Sequence, residues 1–309
     1  MKAIVIDEYG GPEVLRYTDH EDPKMGTEGI LIRVKAAGVN PVDWAVREGK
    51  LADRMVTHFP LILGRDVAGI VEKVGPNATR YSPGDEVIGY ARLDWLEYGT
   101  YAELVAAPIR TIGRKPAALS WAQAGGLPLA GLTAYQTLHD ALAIAPGETI
   151  LIHAAAGGVG SMGVQIAVAR GARVLGTASP RNHDYLRGLG AEPVAYGDGL
   201  EERVRALAPD GLDAIADFHG GPDLKVFPRL LKIPTRIAST IDPQVFHMGG
   251  KMVQMQPRPH DLAALATLAD EGKLTVNVDR TFPLAAAAEA HRHAQERHTR
   301  GKVVLTIDS

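Results

Sequence analysis

The sequence predicts an α/β protein in two parts, a β-rich domain of short strands and a doubly wound parallel sheet. Three observations predict it. The first 120 residues carry short β-branched runs broken by Gly, Pro and Asn, the pattern of a strand-and-turn domain. From Trp121 onward strand-like and helix-like segments alternate, which implies parallel strands joined by helical crossovers. Between one such strand and its helix lies a glycine-rich turn, HAAAGGVG, running from His153 to Gly160. At 309 residues, with 46% hydrophobic and 22% charged, the chain is long enough to bury two cores.

Taken in order, KAIVI, GILIRVKAAGV, VAGIVEKVG, DEVIGY and TYAELVAA are the strands of the first part. Residues 132–142 are apolar at helical spacing, PGE makes a turn, and TILIH is a short buried strand that enters the glycine turn. In SMGVQIAVAR, Met162, Ile166 and Ala169 follow a 3,4 spacing and predict a helix. ARVLGTA is the next strand; helices at 184–189 and 200–208, the strand LDAIADF and the segment TRIAST continue the alternation. The end reads as a helix at 261–270, a strand-like TVNVDRTF, a helix at 285–297 and a final strand KVVLTI.

Composition excludes several functions. A net charge of -3 without a basic block leaves no footprint for nucleic acid or an anionic membrane, so the expected partner is a small molecule. The uncharged stretch at 121–139 is interrupted by Gln123, Pro128 and Gln136 and is read as buried helix and connection, not a membrane span. The strand-like KAIVI follows Met1 directly, with no leader pattern, and the expected location is cytoplasmic. With no cysteine, disulfides and thiolate chemistry are absent.

The turn has the order a dinucleotide site needs. Its three key positions fall on Ala155, Gly157 and Gly160, so the first glycine is an alanine. Ala156, Gly157, Gly158 and Val159 are the expected pyrophosphate contacts at a helix N-terminus; the competing reading is a tight turn with no ligand. An NAD site wants an acid about 20 residues further on, at the end of the second strand. Here that stretch is TASPRNHDY, with Ser179 and Arg181 where the acid belongs. A carboxylate repels a 2′-phosphate and a guanidinium binds it, so NADPH is the expected cofactor, unless Arg181 is only a solvated loop residue.

Eight blocks, YGGPEVL, AAGVNPVDW, GRDVAGIVEKVG, GDEVIG, GTYAEL, LAGLTAYQTL, HAAAGGVG and the closing GKVVL, resemble the medium-chain dehydrogenase/reductase superfamily. More narrowly they are similar to its zinc-free, zeta-crystallin-like quinone oxidoreductase branch. The resemblance implies a GroES-like β-rich catalytic domain from residues 1–121 and 257–309, a Rossmann NADP-binding domain at 122–256, a cleft between them, and a homodimer. Zinc-dependent relatives place a cysteine and a histidine where this chain has Asn40 and Arg65. An amide and a guanidinium do not replace a thiolate and an imidazole, so no metal site is expected. His291, His293 and His298 are read as a solvated helix face instead of ligands.

Without zinc, an alcohol lacks the Lewis acid that stabilises its alkoxide, whereas a quinone or an α,β-unsaturated carbonyl is already electrophilic. The expected function is therefore a zinc-independent, NADPH-dependent reductase of such compounds; the alternative is a non-catalytic, crystallin-like NADPH-binding protein. Asn40 is a carbonyl hydrogen-bond donor, a ribose ligand or an Asn-Pro turn former, and Arg65 meets developing charge or pairs with Asp43 or Asp66. The branch often carries a tyrosine where this chain has Ala45, leaving water, Tyr90 or Tyr98 as proton sources. Matching blocks put Thr133 near the nicotinamide, Tyr196 by the 2′-phosphate and Lys302 toward the cofactor. His219, Gly220, Ser239 and Thr240 follow strands, at the end of a sheet where ligands bind.

Overall fold

A computed structural model describes residues 1–91, 95–296 and 299–307. The first elements are β1 (Lys2–Ile6), β2 (Arg16–Asp19), β3 (Gly29–Val39), α1 (Pro41–Arg47), β4 (Leu61–Ile62), β5 (Asp66–Val74) and β6 (Glu86–Tyr90). Next come β7 (Leu104–Pro108), β8 (Ile112–Arg114), α2 (Trp121–Gly126) and α3 (Pro128–Gln136). The alternating stretch holds β9 (Thr149–His153), α4 (Gly158–Ala169), β10 (Arg173–Thr177), α5 (His183–Gly188), β11 (Glu192–Val194) and α6 (Leu200–Leu207). It continues through β12 (Ala214–Asp217), α7 (Phe227–Leu230), β13 (Ile237–Ser239) and β14 (Lys251–Met252). The chain closes with α8 (Pro259–Asp270), β15 (Val278–Pro283), α9 (Ala287–Gln295) and β16 (Lys302–Thr306).

Two compact units result. The first takes Met1–Leu129, Pro257–Asp270 and Thr275–Ser309, and the second takes Ala130–Gln256 and Glu271–Leu274. Residues 122–129 fall in the first unit because α2 packs on β3, β5 and β16.

The first unit is GroES-like. One sheet runs β2-β1-β4, and the other runs β15-β16-β3-β5-β6-β8 with β7 also paired to β3. β3 is buried along most of its length, which is why GILIRVKAAGV reads as a nearly unbroken apolar run. Its side chains join Ile4, Ile6, Val67, Tyr101 and Leu305 in one core. The closing strand β16 pairs antiparallel with β3, Val303 opposite Val39. That register sets Lys302 beside Asn40.

The second unit is a parallel sheet in the order β11-β10-β9-β12-β13-β14. In chain order its strands run 3-2-1-4-5-6, the Rossmann arrangement, with the switch point between β9 and β12. Leu151, Leu175, Ile215, Phe227 and Ile237 form its core.

Several elements differ from the expectations. The Asn-Pro pair opens α1, with Asn40 at the N-cap and Pro41 in the first helical position, where a missing N–H costs nothing. The helix expected over 132–142 is α3 followed by a π turn, Thr137–Ala141, in which Thr137 Oγ1 donates to the Thr133 carbonyl at 2.7 Å. α4 starts at Gly158, three residues earlier than its apolar spacing implies, because Gly157 serves as N-cap. The last helix runs over Ala287–Gln295; residue 297 and His298 lie outside the described residues.

Candidate functional site

In the second unit the glycine turn is built by hydrogen bonds to β10. Ala154 has φ of 60°, a left-handed conformation that a Cβ disfavours. It is held there: the Ala154 N–H donates to Thr177 Oγ1 at 3.0 Å, the Ala155 N–H to Thr177 O at 2.9 Å, and the Gly157 N–H to Ala154 O at 3.1 Å. A Cβ on Gly160 would lie 2.2 Å from Ala154 O, so only glycine lets α4 approach the turn. The alanine at the first key position is compensated across the sheet. Its methyl faces Gly176 of β10, where an added Cβ would come within 2.8 Å of it.

The other sequence-derived residues cluster at the carboxyl ends of these parallel strands. Ser179 and Arg181 follow β10, Arg181 exposed, and no acid stands between them. Tyr196 follows β11 and is 56% exposed. Its loop is wrapped by Arg203 of α6, whose Nε donates to Ala195 O at 3.0 Å and whose Nη2 donates to Tyr196 O at 3.3 Å. Sequence reading missed Arg203, since an arginine in an amphipathic helix carries no local signal. His219 follows β12 and is exposed. Ser239 is buried and its hydroxyl is spent on the protein, donating to Asp217 Oδ2 at 2.6 Å and accepting the Asp242 N–H at 3.1 Å. Asp217 also accepts the N–H groups of His219 and Gly220, so it ties together the loops that follow β12 and β13. Thr240 is half-buried and its N–H donates to Asp217 O; Thr133 is buried on α3. An acid closing the apolar run LDAIAD was the signal for Asp217.

The first unit holds Asn40, Arg65 and Lys302, all buried. Asn40 Nδ2 donates to Asp66 Oδ2 at 2.8 Å, and Asn40 Oδ1 accepts from Lys302 Nζ. Lys302 also donates to Val39 O at 3.2 Å and lies 4.0 Å from Asp66 Oδ2. Asp66 Oδ1 accepts the Leu129 N–H at 2.8 Å. Burial pulls the Lys302 ammonium below its ordinary range and pushes the Asp66 carboxyl up, each opposed by the other's charge. Arg65 does not pair directly with Asp43 or Asp66. Its Nη1 donates to Tyr90 Oη at 2.7 Å and its Nη2 reaches Met55 Sδ at 3.1 Å.

Behind them runs a second buried chain. Arg47 Nη1 donates to His291 Nδ1 at 2.7 Å, His291 Nε2 faces Tyr101 Oη at 3.3 Å, and Tyr101 Oη donates to Asp43 Oδ2 at 3.0 Å. His291 is thus fully buried, correcting its assignment to a solvated helix face: α9 turns it inward while His293 pairs with Asp279 near the surface. Among the described residues no group of three or more His, Cys, Asp or Glu is placed to hold a metal ion, and no helix is long and apolar enough to cross a membrane.

A GroES-like strand unit and a Rossmann sheet in one chain define a protein of the dehydrogenase/reductase class. Residues 26–117 match the alcohol dehydrogenase GroES-like domain and residues 189–305 match the zinc-binding dehydrogenase model. A chloroplastic quinone oxidoreductase of Triphysaria versicolor is 32% identical, over 99% of this chain and 98% of that one. The solved quinone oxidoreductase from Coxiella burnetii is 35% identical with a TM-score of 0.87, covering 100% of this chain and 99% of that one. A mycobacterial protein solved in complex with NADPH is 29% identical with a TM-score of 0.84, covering 99% and 100%. The chain belongs to the medium-chain dehydrogenase/reductase superfamily, in its quinone oxidoreductase branch, and is accordingly an oxidoreductase.

Proposed function

We propose that the protein is a zinc-independent, NADPH-dependent oxidoreductase that reduces quinones or α,β-unsaturated carbonyl compounds. The observation that carries this reading is the pair Asn40 and Arg65 at the positions of two zinc ligands, in a chain that also holds a dinucleotide turn. Family membership and the NADPH complex of a structural neighbour support a nicotinamide cofactor. The residues fit one: Gly160 leaves room for α4 against the turn, and the first-turn N–H groups of that helix face an incoming pyrophosphate.

The bound cofactor supplies a hydride to an electron-poor carbon. The chain's own groups do the rest. Ser179, Arg181 and Tyr196 hold the 2′-phosphate, with Arg203 fixing the loop of Tyr196. His219 and Thr240 line the same strand ends. Asn40 is oriented by Lys302 and Asp66, which leaves Arg65 as the cation that meets charge developing on the carbonyl oxygen. A homodimer is inferred from the family alone, and a single-chain mass in light scattering would contradict it.

Turnover is tested by following NADPH absorbance with a panel of quinones and enones, with and without a chelator. Oxidation of the cofactor that survives chelation is expected. Cofactor uptake without turnover on any acceptor would favour the crystallin-like alternative, and activity lost to the chelator and restored by zinc would overturn metal independence. For the cofactor, Arg181→Asp should cut the preference for NADPH over NADH by about tenfold or more, since a charge-assisted contact is worth about 1.5–3 kcal/mol. Equal catalytic efficiencies with both cofactors in the unaltered protein would contradict the NADPH assignment.

A further inference from the structure

The first unit contains a cavity whose wall includes Asp43, Leu61, Leu63, Arg65, Glu97 and Tyr98. Two buried carboxyls of this unit have opposite environments. Asp66 is sealed: Oδ1 takes the Leu129 N–H, Oδ2 takes the Asn40 amide, and Lys302 stands beside it. Asp43 is hydrogen-bonded through one oxygen only. Its Oδ2 accepts the Asn40 N–H at 2.8 Å and the Tyr101 hydroxyl at 3.0 Å. Its Oδ1 takes no hydrogen bond among the described residues, and Asp43 lines the cavity.

The chain behind Asp43 has a single polarity. A guanidinium only donates, so Arg47 makes His291 Nδ1 an acceptor and leaves the proton on Nε2. Nε2 then donates to Tyr101 Oη, which leaves the Tyr101 proton for Asp43. Burial keeps His291 neutral, its imidazolium form lowered to about 3, and pushes the Tyr101 phenol well up, so neither link titrates near neutrality. The group at the end is the one that does: burial raises the Asp43 carboxyl to about 6, against the charge of Arg65 and its two hydrogen bonds.

We infer that Asp43 is the proton donor of the reduction, and that Arg47, His291 and Tyr101 position its carboxyl at the cavity wall. This rests on the reductase reading above. Hydride added to the acceptor carbon leaves an electron pair on a quinone oxygen or an enolate. The Asp43 O–H bond breaks, that pair takes the proton as a new O–H or C–H bond, and the carboxylate is reprotonated by water entering the cavity. Asp66 has both oxygens hydrogen-bonded beside Lys302 and serves structure, whereas Asp43 keeps one oxygen unbonded at the cavity wall and is placed to act as an acid.

The test is the pH profile of single-turnover reduction, on a quinone that the unaltered protein accepts, for the unaltered protein and for Asp43→Asn and Tyr101→Phe. The charged groups that face Asp43 are Arg65 and Asp66 around β5, Lys302 on β16 and Glu97 across the cavity; Tyr101 and Tyr90 stay protonated. The rate should fall as pH rises through about 6, where the donor form is lost. Asp43→Asn keeps an acceptor for Asn40 and Tyr101, and should lose this limb and about 10²–10⁴ of the rate with NADPH affinity unchanged. Tyr101→Phe removes a hydrogen bond to the carboxylate and should move the limb to higher pH; a merely structural role would leave the limb in place. Full rate and an unaltered limb in Asp43→Asn would overturn the inference and leave the reductase reading standing. No reduction of any quinone or enone by the unaltered protein would overturn both.

Discussion

Lys302→Met should destabilise the first unit by about 3–5 kcal/mol, the cost of leaving one member of a buried ion pair uncompensated. Asp66 is fully buried, and Lys302 is the cation within ion-pair distance of it among the described residues. Asn40 Oδ1 loses its donor in the same step. All three tryptophans, Trp44, Trp95 and Trp121, lie in this unit, so urea unfolding followed by their fluorescence reads it directly. Adding Asp66→Asn to Lys302→Met should recover part of the loss, because the remaining amide carries no charge to desolvate. A single-variant effect below about 1 kcal/mol would mean that Asp66 is not held as a charged partner of Lys302.

The second large effect is expected at the turn. Gly160→Val puts a Cβ 2.2 Å from a backbone oxygen that cannot swing aside, so either α4 or the turn must move. Overpacking of this kind costs about 1–3 kcal/mol or more in stability. Displacing the helix N-terminus also removes the donors proposed above to meet the pyrophosphate. NADPH affinity, measured by fluorescence titration, should fall by about a hundredfold or more, equivalent to about 2.8 kcal/mol. Affinity within threefold of the unaltered protein would show that the cofactor does not rely on this turn.

Much of the architecture was legible because it follows from local rules. KAIVI and TILIH are strands with the bounds their β-branched runs imply, and the alternation after Trp121 led to the parallel sheet. Other features were hidden by the same locality. The Asn-Pro pair suits a turn as well as a helix start, and the context that selects α1 lies in the Asp43 carboxylate that accepts the Asn40 N–H. His291, on a helix with polar neighbours, gave no sign that α9 turns it to a buried arginine 244 positions away.

Composition, periodicity and glycine placement by themselves determined the two-part α/β architecture, the glycine turn between strand and helix with no acid at the end of the next strand, and the absence of cysteine ligands. Each is a property of neighbours in the chain, and backbone sterics or side-chain spacing act over a few residues. Only the tertiary structure decided which buried charges meet. Lys302 reaches Asn40 across 262 positions because β16 takes one particular register on β3, and a slip of one residue would turn that side chain to the other face of the sheet. Asp43 lines a cavity and Asp66 is sealed for the same reason: the two lie on elements whose neighbours were chosen by packing of the whole core, and burial then raises the proton affinity of each carboxyl.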